Sequence, residues 1–352
     1  MELSVCIITK NERENLKKCL KALKSYPFEV VVVDTGSTDG TKEMAQRFTD
    51  AVHDFAWCND FAKAKNYAVA KASFDMVLVL DSDEYVTEID LARLEEQLRQ
   101  HRGEVGRIAR KNYMYEGTEV RSGIEQINRL FDRRLFHYKG RIHEQLVGID
   151  EGADMTTYQA AIQADHSGYL LSPEEKKRKA QRNIGLLEQM LSDEGEEPYL
   201  LYQLGKSYYM AGQYEKAAAN FGRALEYDLD ERLEYVIDMV ETYGYALVNS
   251  GQAQTALGFE GLIDAFGNGS DFWFLMGFIY MNNEMYAEAV NAYEQAVRLK
   301  NARMMGADSW LAYYNAGVIC ECLEQMQRAA AYYRKAGGYA PARARLAVIE
   351  RK

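Results

Sequence analysis

This 352-residue chain reads as two domains of different class: an α/β domain with a parallel sheet, then an all-α domain of repeats. Strand and helix signals alternate over the first third, with strands that are continuously apolar, and beyond Ser172 the pattern is helical and repeats itself. A composition of 47% hydrophobic and 27% charged residues fits a globular chain too long for one typical domain and about right for two.

Leu3 to Thr9 reads as a buried strand, Asn15 to Ser25 as a helix and Phe28 to Val33 as a second strand. A turn cluster, Asp34-Thr35-Gly36-Ser37-Thr38-Asp39-Gly40, leads into a helix running to about Phe48. Another helix covers roughly Asp60 to Ala72, and Met76 to Leu80 is a buried strand ending in Asp81-Ser82-Asp83-Glu84. This succession predicts a parallel sheet covered on both faces, with ligands beyond the carboxyl ends of its strands. From Gly106 to Asp165 the pattern is strand-like. Between Arg107 and Arg141 it carries nine basic residues (including Arg110, Lys111, Arg121, Arg129, Arg133 and Arg134) against four acidic ones. That strip reads either as a solvated hairpin face or as a surface for phosphate or an anionic acceptor.

In the helical half, Leu204-Gly205-x-x-Tyr208 with Ala217, Phe221 and Ala224 recurs as Met276-Gly277-x-x-Tyr280 with Ala289, Tyr293 and Ala296. It recurs again as Ala316-Gly317-x-x-Cys320 with Ala329, Tyr333 and Ala336, and a degenerate copy surrounds Tyr243-Gly244. Each unit resembles the tetratricopeptide repeat, two antiparallel helices in which small residues allow close approach and aromatics fill the gaps. The predicted boundaries are residues 1–170 for the α/β domain, 171–197 for a helical linker opened by Ser172-Pro173-Glu174-Glu175, and 198–352 for the repeats. A capping helix is expected over Ala342 to Glu350.

A net charge of −11 opposes general affinity for nucleic acid or anionic membrane surfaces. The longest nearly apolar run, Trp273 to Met281, is far below the ~20 residues of a membrane span, so a soluble, cytoplasmic protein is expected. Five cysteines in no ligand spacing predict neither a disulfide framework nor a zinc site, which suits a reducing compartment. Seventeen of the 25 tyrosines fall between Tyr199 and Tyr339, so the aromatic excess belongs to the repeats.

Asp81-x-Asp83 at a strand's carboxyl end places two carboxylates where they can hold a hard divalent cation. The spacing alone is weak, because Asp228-x-Asp230 repeats it in an inter-helix loop; position separates the two.

Four blocks stand in order: Val5-Cys6-Ile7-Ile8-Thr9-Lys10-Asn11-Glu12, Val31-Val32-Val33-Asp34-Thr35-Gly36-Ser37-Thr38-Asp39-Gly40-Thr41, Ala64-Lys65-Asn66-Tyr67-Ala68 and Leu80-Asp81-Ser82-Asp83-Glu84. Together they resemble the family 2 glycosyltransferases, whose nucleotide-diphospho-sugar transferase domain has the Rossmann-like GT-A fold. The resemblance implies that Thr9, Asn11 and Glu12 line the nucleotide pocket, and that Asp34 contacts base or ribose. It also implies that Lys65 lies near the nucleotide, Asp81 contacts ribose or sugar, and Asp83 binds a metal, Mn²⁺ or Mg²⁺, bridging the diphosphate. From the residues alone, Asp34 also reads as a turn cap and Lys65 as a solvated helix position.

Inverting members need a base for the proton of the attacking acceptor. The Glu-Asp dipeptide used by many members is absent here, and the candidate is Glu144 in Gly140-Arg141-Ile142-His143-Glu144-Gln145. His143 beside it reads as a second acid–base group, a phosphate contact or a structural histidine. The resemblance also implies a histidine metal ligand distal to the D-x-D, which with carboxylates suits Mn²⁺; His166 is the candidate, and from the residues alone it also reads as a core or capping histidine. Arg129, Arg134 and Arg141 are candidate diphosphate or acceptor contacts.

The resemblance therefore implies a metal-dependent glycosyltransferase using a nucleotide-diphospho-sugar donor, a uridine diphosphate sugar foremost. The repeats suggest a polypeptide acceptor; the alternatives are a cell-envelope saccharide, with the repeats serving homo-oligomerisation, and a non-catalytic repeat scaffold. A nucleotidyltransferase is disfavoured, because Thr-Lys-Asn-Glu replaces a glycine-rich phosphate loop after the first strand.

Overall fold

The computed structural model of the chain describes residues 1–116, 119–150, 155–166 and 173–350. It divides into two compact units, Met1–Glu175 and Lys176–Lys352. The Arg121 side chain and Ser172 lie outside the described residues.

The first unit is built on β1 (Ser4–Thr9), β2 (Glu29–Asp34), β3 (Val52–Asp54), β4 (Met76–Asp81), β5 (Glu84–Ile89), β6 (Val105–Glu116), β7 (Glu119–Asp132), β8 (Phe136–Lys139), β9 (Gln145–Gly148) and β10 (Thr157–His166). Eight of these form one sheet in the order β3-β2-β1-β4-β7-β6-β10-β5, and β8 and β9 form a separate hairpin. The expected run of parallel strands is realised by β3, β2, β1 and β4, and β6 and β10 form a further parallel pair. The other half is mixed, because β6 and β7 follow each other directly and pair as an antiparallel hairpin, and β7 lies antiparallel on β4.

Alternation along the parallel strands explains their continuous apolarity. Val5, Ile7, Leu78 and Leu80 join Leu16, Leu20 and Leu23 of α1 (Arg13–Leu23) on one face. Cys6, Ile8, Val77 and Val79 join Ala64 and Ala68 of α3 (Phe61–Ala70) on the other. Each fully buried leucine contributes about 1.5–3 kcal/mol. The short α2 (Thr41–Ala45) stops before Phe48, and α4 (Leu91–Gln100) adds Leu94 to the first face.

The second unit holds α5 (Pro173–Glu194), α6 (Pro198–Met210), α7 (Tyr214–Ala224), α8 (Glu234–Asn249), α9 (Ala253–Ala256), α10 (Ile263–Phe266), α11 (Ser270–Asn282), α12 (Tyr286–Leu299), α13 (Trp310–Cys322), α14 (Met326–Lys335) and α15 (Ala340–Ile349). The repeat logic is visible in its glycines. A Cβ on Gly205 would sit 2.5 Å from the Phe221 ring, one on Gly277 2.7 Å from Tyr293, and one on Gly317 2.6 Å from Tyr333. Only a bare α-carbon admits the ring, which is why glycine and aromatic recur at one offset. In the degenerate unit Gly244 instead abuts Leu275 of α11. Asp230 binds the Arg232 guanidinium in the α7–α8 loop, so the second D-x-D is an ordinary turn. Among the described residues, no helix is long and apolar enough to cross a membrane.

Candidate active site

Register brings the motif residues to one sheet edge. Thr9 pairs with Asp34 across β1 and β2, and Ile8 pairs with Asp81 across β1 and β4, so three strands end side by side. Asp34 is 3% exposed; its Oδ1 accepts hydrogen bonds from the Gly36 and Ser37 amides at 2.9 and 2.8 Å. It is therefore a turn cap, and the φ of +99° at Gly36 is what closes that turn. Its Oδ2 and the Thr9 Oγ1 are buried without a protein partner. Leaving such an atom without a partner costs about 1–3 kcal/mol.

The loop after β1 is knitted to the loop after β2. Asn11 takes a φ of +53°, its side-chain oxygen accepts from the Thr38 amide at 2.8 Å, and its own amide donates to Ser37. Glu12 accepts from Asn15 at 2.7 Å. Both side chains hold the loop in shape, beside the open atoms of Thr9 and Asp34.

Lys65 is not a solvated position: it is 2% exposed, with Nζ 2.8 Å from Asp81 Oδ1 and 2.7 Å from Glu144 Oε1. The next residue explains why Glu144 is there. Asn66 accepts from the Tyr138 amide at 2.9 Å and donates to its carbonyl at 2.8 Å, and the Phe61 amide donates to the Arg141 carbonyl. These bonds dock the β8–β9 hairpin on α3, whose N-terminus is capped by Asp60. Glu144 arrives within the hairpin's turn. His143, next to Glu144 in that turn, is exposed and takes a φ of +53°.

The other Asp81 oxygen is 2.6 Å from Arg129, which also reaches Glu84 at 2.8 Å. Burial opposes ionisation of Asp81, but Arg129 and then Lys65 outweigh it and hold the carboxyl far below its usual range. Burial likewise opposes the charge on Lys65, and Asp81 and Glu144 overcome it, raising its pKa. Glu84, with no exposed surface, accepts from Arg110 at 2.9 Å and from the Asp81 amide at 3.0 Å. Lys65, Arg110 and Arg129 thus face the carboxylates of Asp81, Glu84, Glu125 and Glu144.

Asp83 and His166 are brought together by β10 pairing antiparallel with β5, where His166 stands opposite Glu84. His166 Nε2 lies 3.3 Å from Asp83 Oδ2. A carboxylate oxygen and an imidazole nitrogen this close could hold Mn²⁺ or Mg²⁺ between them. Among the described residues, no three His, Cys, Asp or Glu side chains converge on one point, so these two would be the protein's share.

The basic strip is largely consumed internally. Arg129 and Arg110 are held in ion pairs, and Arg134 binds Asp132 and Asp75. Met76 pairs with Asp132, so Arg134 sits at the opposite end of β4 from Asp81, about 15–20 Å away at strand rise, and is not a contact of this site. Sequence reading passed over Glu84 and Arg110 as site residues. The one available signal was the acidic residue three after Asp81.

Residues 4–160 match the family described as glycosyl transferase family 2, and residues 198–230, 270–302 and 311–343 match tetratricopeptide repeats. The chain is 27% identical over 225 residues to the SPbeta prophage-derived glycosyltransferase SunS of Bacillus subtilis, covering 60% of this chain and 50% of that protein. It is 29% identical over 215 residues to a TPR repeat-containing protein of Synechococcus elongatus, covering 58% and 51%. It is 30% identical over 158 residues to the lipopolysaccharide core biosynthesis glycosyltransferase LpsC of Rhizobium meliloti, covering 42% and 57%. The chain thus spans about half the length of the curated relatives it matches. Motif order and these matches agree: residues 4–160 match a family 2 glycosyltransferase domain, here a GT-A-like mixed α/β sheet, and tetratricopeptide repeats follow.

Proposed function

We propose that this chain is a metal-dependent, inverting glycosyltransferase that moves a sugar from a nucleotide-diphospho-sugar, a uridine diphosphate sugar foremost, to a polypeptide acceptor in the cytoplasm. The observation that carries the reading is the set of open, buried acceptors at the strand ends, Asp34 Oδ2 and Thr9 Oγ1, beside the Asp83–His166 pair. Asp34 Oδ2 would accept from the base or a ribose hydroxyl, and Asp81, a third of whose side chain is accessible, would face ribose or sugar. Asp83 and His166 would hold Mn²⁺ or Mg²⁺, which when bound neutralises charge on the departing diphosphate. Glu144 would take the acceptor proton as the new glycosidic bond forms and the bond to the diphosphate oxygen breaks. Lys65 would hold that carboxylate in place, and exposed His143 would lie where an acceptor enters.

The test is a thermal-shift panel of uridine, guanosine and thymidine diphosphate sugars with Mn²⁺ or Mg²⁺, since a ligand bound only by the native state raises Tm. A shift with one nucleotide that requires metal supports the reading; no shift with any of them overturns it. The polypeptide acceptor draws on the repeats, whose stacked helix pairs form extended concave binding surfaces. A saccharide acceptor is the second reading, favoured by the similarity to LpsC. Mass spectrometry of host proteins with and without the gene separates the two: an unchanged glycoproteome rejects the polypeptide.

A further inference from the structure

The middle of the repeat unit carries charge of one sign. Between Arg223 and Arg298 stand thirteen acidic residues and a single basic one, Arg232. Arg232 is spent on Asp230, donating to both carboxylate oxygens at 2.8 Å. Part of the remaining charge is gathered in one place. A cavity of about 540 Å³ lies between α8, the start of α11 and the loop after α12. Glu231, Glu234, Glu241 and Asp271 line it together with apolar Ile237 and Phe266, and Arg303 enters it from the loop.

The seat of Arg303 is built by the fold. Residues 300–309 separate α12 from α13 and are fastened to the start of α11. Buried Asp271 accepts from the Arg303 and Met304 amides at 2.7 Å, and Asn301 accepts from the Ser270 amide at 2.9 Å. So anchored, the Arg303 guanidinium meets Glu241 of α8 at 2.6 Å. Burial pushes the Glu241 carboxyl up to about 7; Arg303 pulls it down, while Asp271 and Asp238 push it up again. The pocket thus stays short of positive charge even with one guanidinium in place, and a second cation would favour the ionised form.

The neighbouring surface has the same character. Glu234, Asp238 and Glu241 follow each other at helical spacing along one face of α8. Asp238 accepts from the Tyr202 hydroxyl of α6 and meets Lys206, both at 2.7 Å. The rings of Tyr199, Tyr202 and Tyr235 cluster there with centroids 5.3–5.9 Å apart. Aromatic faces beside carboxylates suit a guanidinium or ammonium group on an alkyl stem.

We propose that this face of the repeats docks a polypeptide segment rich in arginine or lysine, one of whose side chains enters the pocket at Glu241. An acidic segment would meet like charge and be rejected. The inference rests on the polypeptide-acceptor reading above and narrows it to a basic polypeptide, since docking would select which chains are modified.

Titrating the full chain into fluorescently labelled peptides, followed by anisotropy at physiological salt, tests it. A peptide of alternating arginine and serine should bind, and one of alternating glutamate and serine should not. Glu241→Gln should weaken the arginine peptide about tenfold. Glu234→Gln, at an exposed position lining the same pocket, should also weaken it, and decides the matter should Glu241→Gln fold poorly. Glu226→Gln removes the same charge from an exposed position outside the pocket and should leave binding unchanged. Arg303→Gln takes the resident cation away and should strengthen it. No binding of the arginine peptide, equal binding of the glutamate peptide, or equal losses in Glu226→Gln and the pocket variants overturns the inference, as does weaker binding in Arg303→Gln. Binding that follows the expected pattern, with a glycoproteome unchanged by the gene, ends the acceptor reading and keeps the docking face. A modified glycoproteome that Glu241→Gln and Glu234→Gln leave unaltered does the reverse.

Discussion

Lys65 and Glu144, far apart in sequence, meet at 2.7 Å, and the same ammonium holds Asp81 at 2.8 Å on its other side. One buried cation thus joins the carboxylate expected to face the donor to the one expected to serve the acceptor. Its cost of burial is met only while both partners are present.

Removing that cation should be expensive. Lys65→Met is expected to cost about 3 kcal/mol, the usual penalty for leaving a buried charge without its partner. Urea unfolding of both proteins at pH 7 measures it; a loss below ~1 kcal/mol would mean the pair is already well solvated.

The same network sets an acid limit. Because the folded-state pKa of Asp81 is depressed, its contribution is fully present above the unfolded value of about 3.9 and is lost as pH falls through the lower folded value. The stability gap between wild type and Asp81→Asn should therefore be constant from pH 7 down to about 4 and shrink below that. A gap independent of pH over the acid limb contradicts the assignment.

How much of this was legible in sequence follows from range. Thr9, Asp34 and Asp81 each end an apolar run in a recognisable block, so local pattern located them. The Lys65–Glu144 pair depends on Asn66 docking a hairpin on α3, and Arg110 meets Glu125 only through β6–β7 register. No local signal carries either. The same distance effect misled the reading of the basic strip: Arg129 and Arg134 are neighbours in sequence, yet β7 carries one to the site and the other to the far edge. Strand β5 was missed because Glu84 to Ile89 carries charged residues, and β3 because three residues are too few to show a period. The repeats were the most legible part, since a glycine facing a ring sixteen residues on is a local rule repeated three times.

That rule is testable at Gly277. Gly277→Ala places a methyl 2.7 Å from the Tyr293 ring and should destabilise the chain by about 1–3 kcal/mol. Combining it with Tyr293→Leu should cost less than the sum of the two single changes, because the smaller side chain vacates the contact. Gly258→Ala, which meets nothing within 4 Å, is the control. Additive losses in the double variant would show that the glycine serves the backbone and not the ring.

The two arginines should part company in function. Arg129→Gln takes one of two cations from each of Asp81 and Glu84 and should cost about 3 kcal/mol together with donor affinity. Arg134→Gln, at an exposed pair on the far edge, should change stability by less than ~0.5 kcal/mol and leave donor binding unaltered. Denaturant melts and uridine diphosphate titrations of both variants decide it; weakened binding in Arg134→Gln would return the basic strip to the site.

The central claim is that strand-end acceptors and the Asp83–His166 pair form one nucleotide-and-metal site. Calorimetric titration of uridine diphosphate into the full chain, with and without Mn²⁺, tests it most directly. The account predicts metal-dependent binding that Asp83→Ala abolishes and Asp34→Ala weakens by about 1–3 kcal/mol, the cost of an unmade buried hydrogen bond. Binding of equal strength without metal, or in Asp83→Ala, would contradict it.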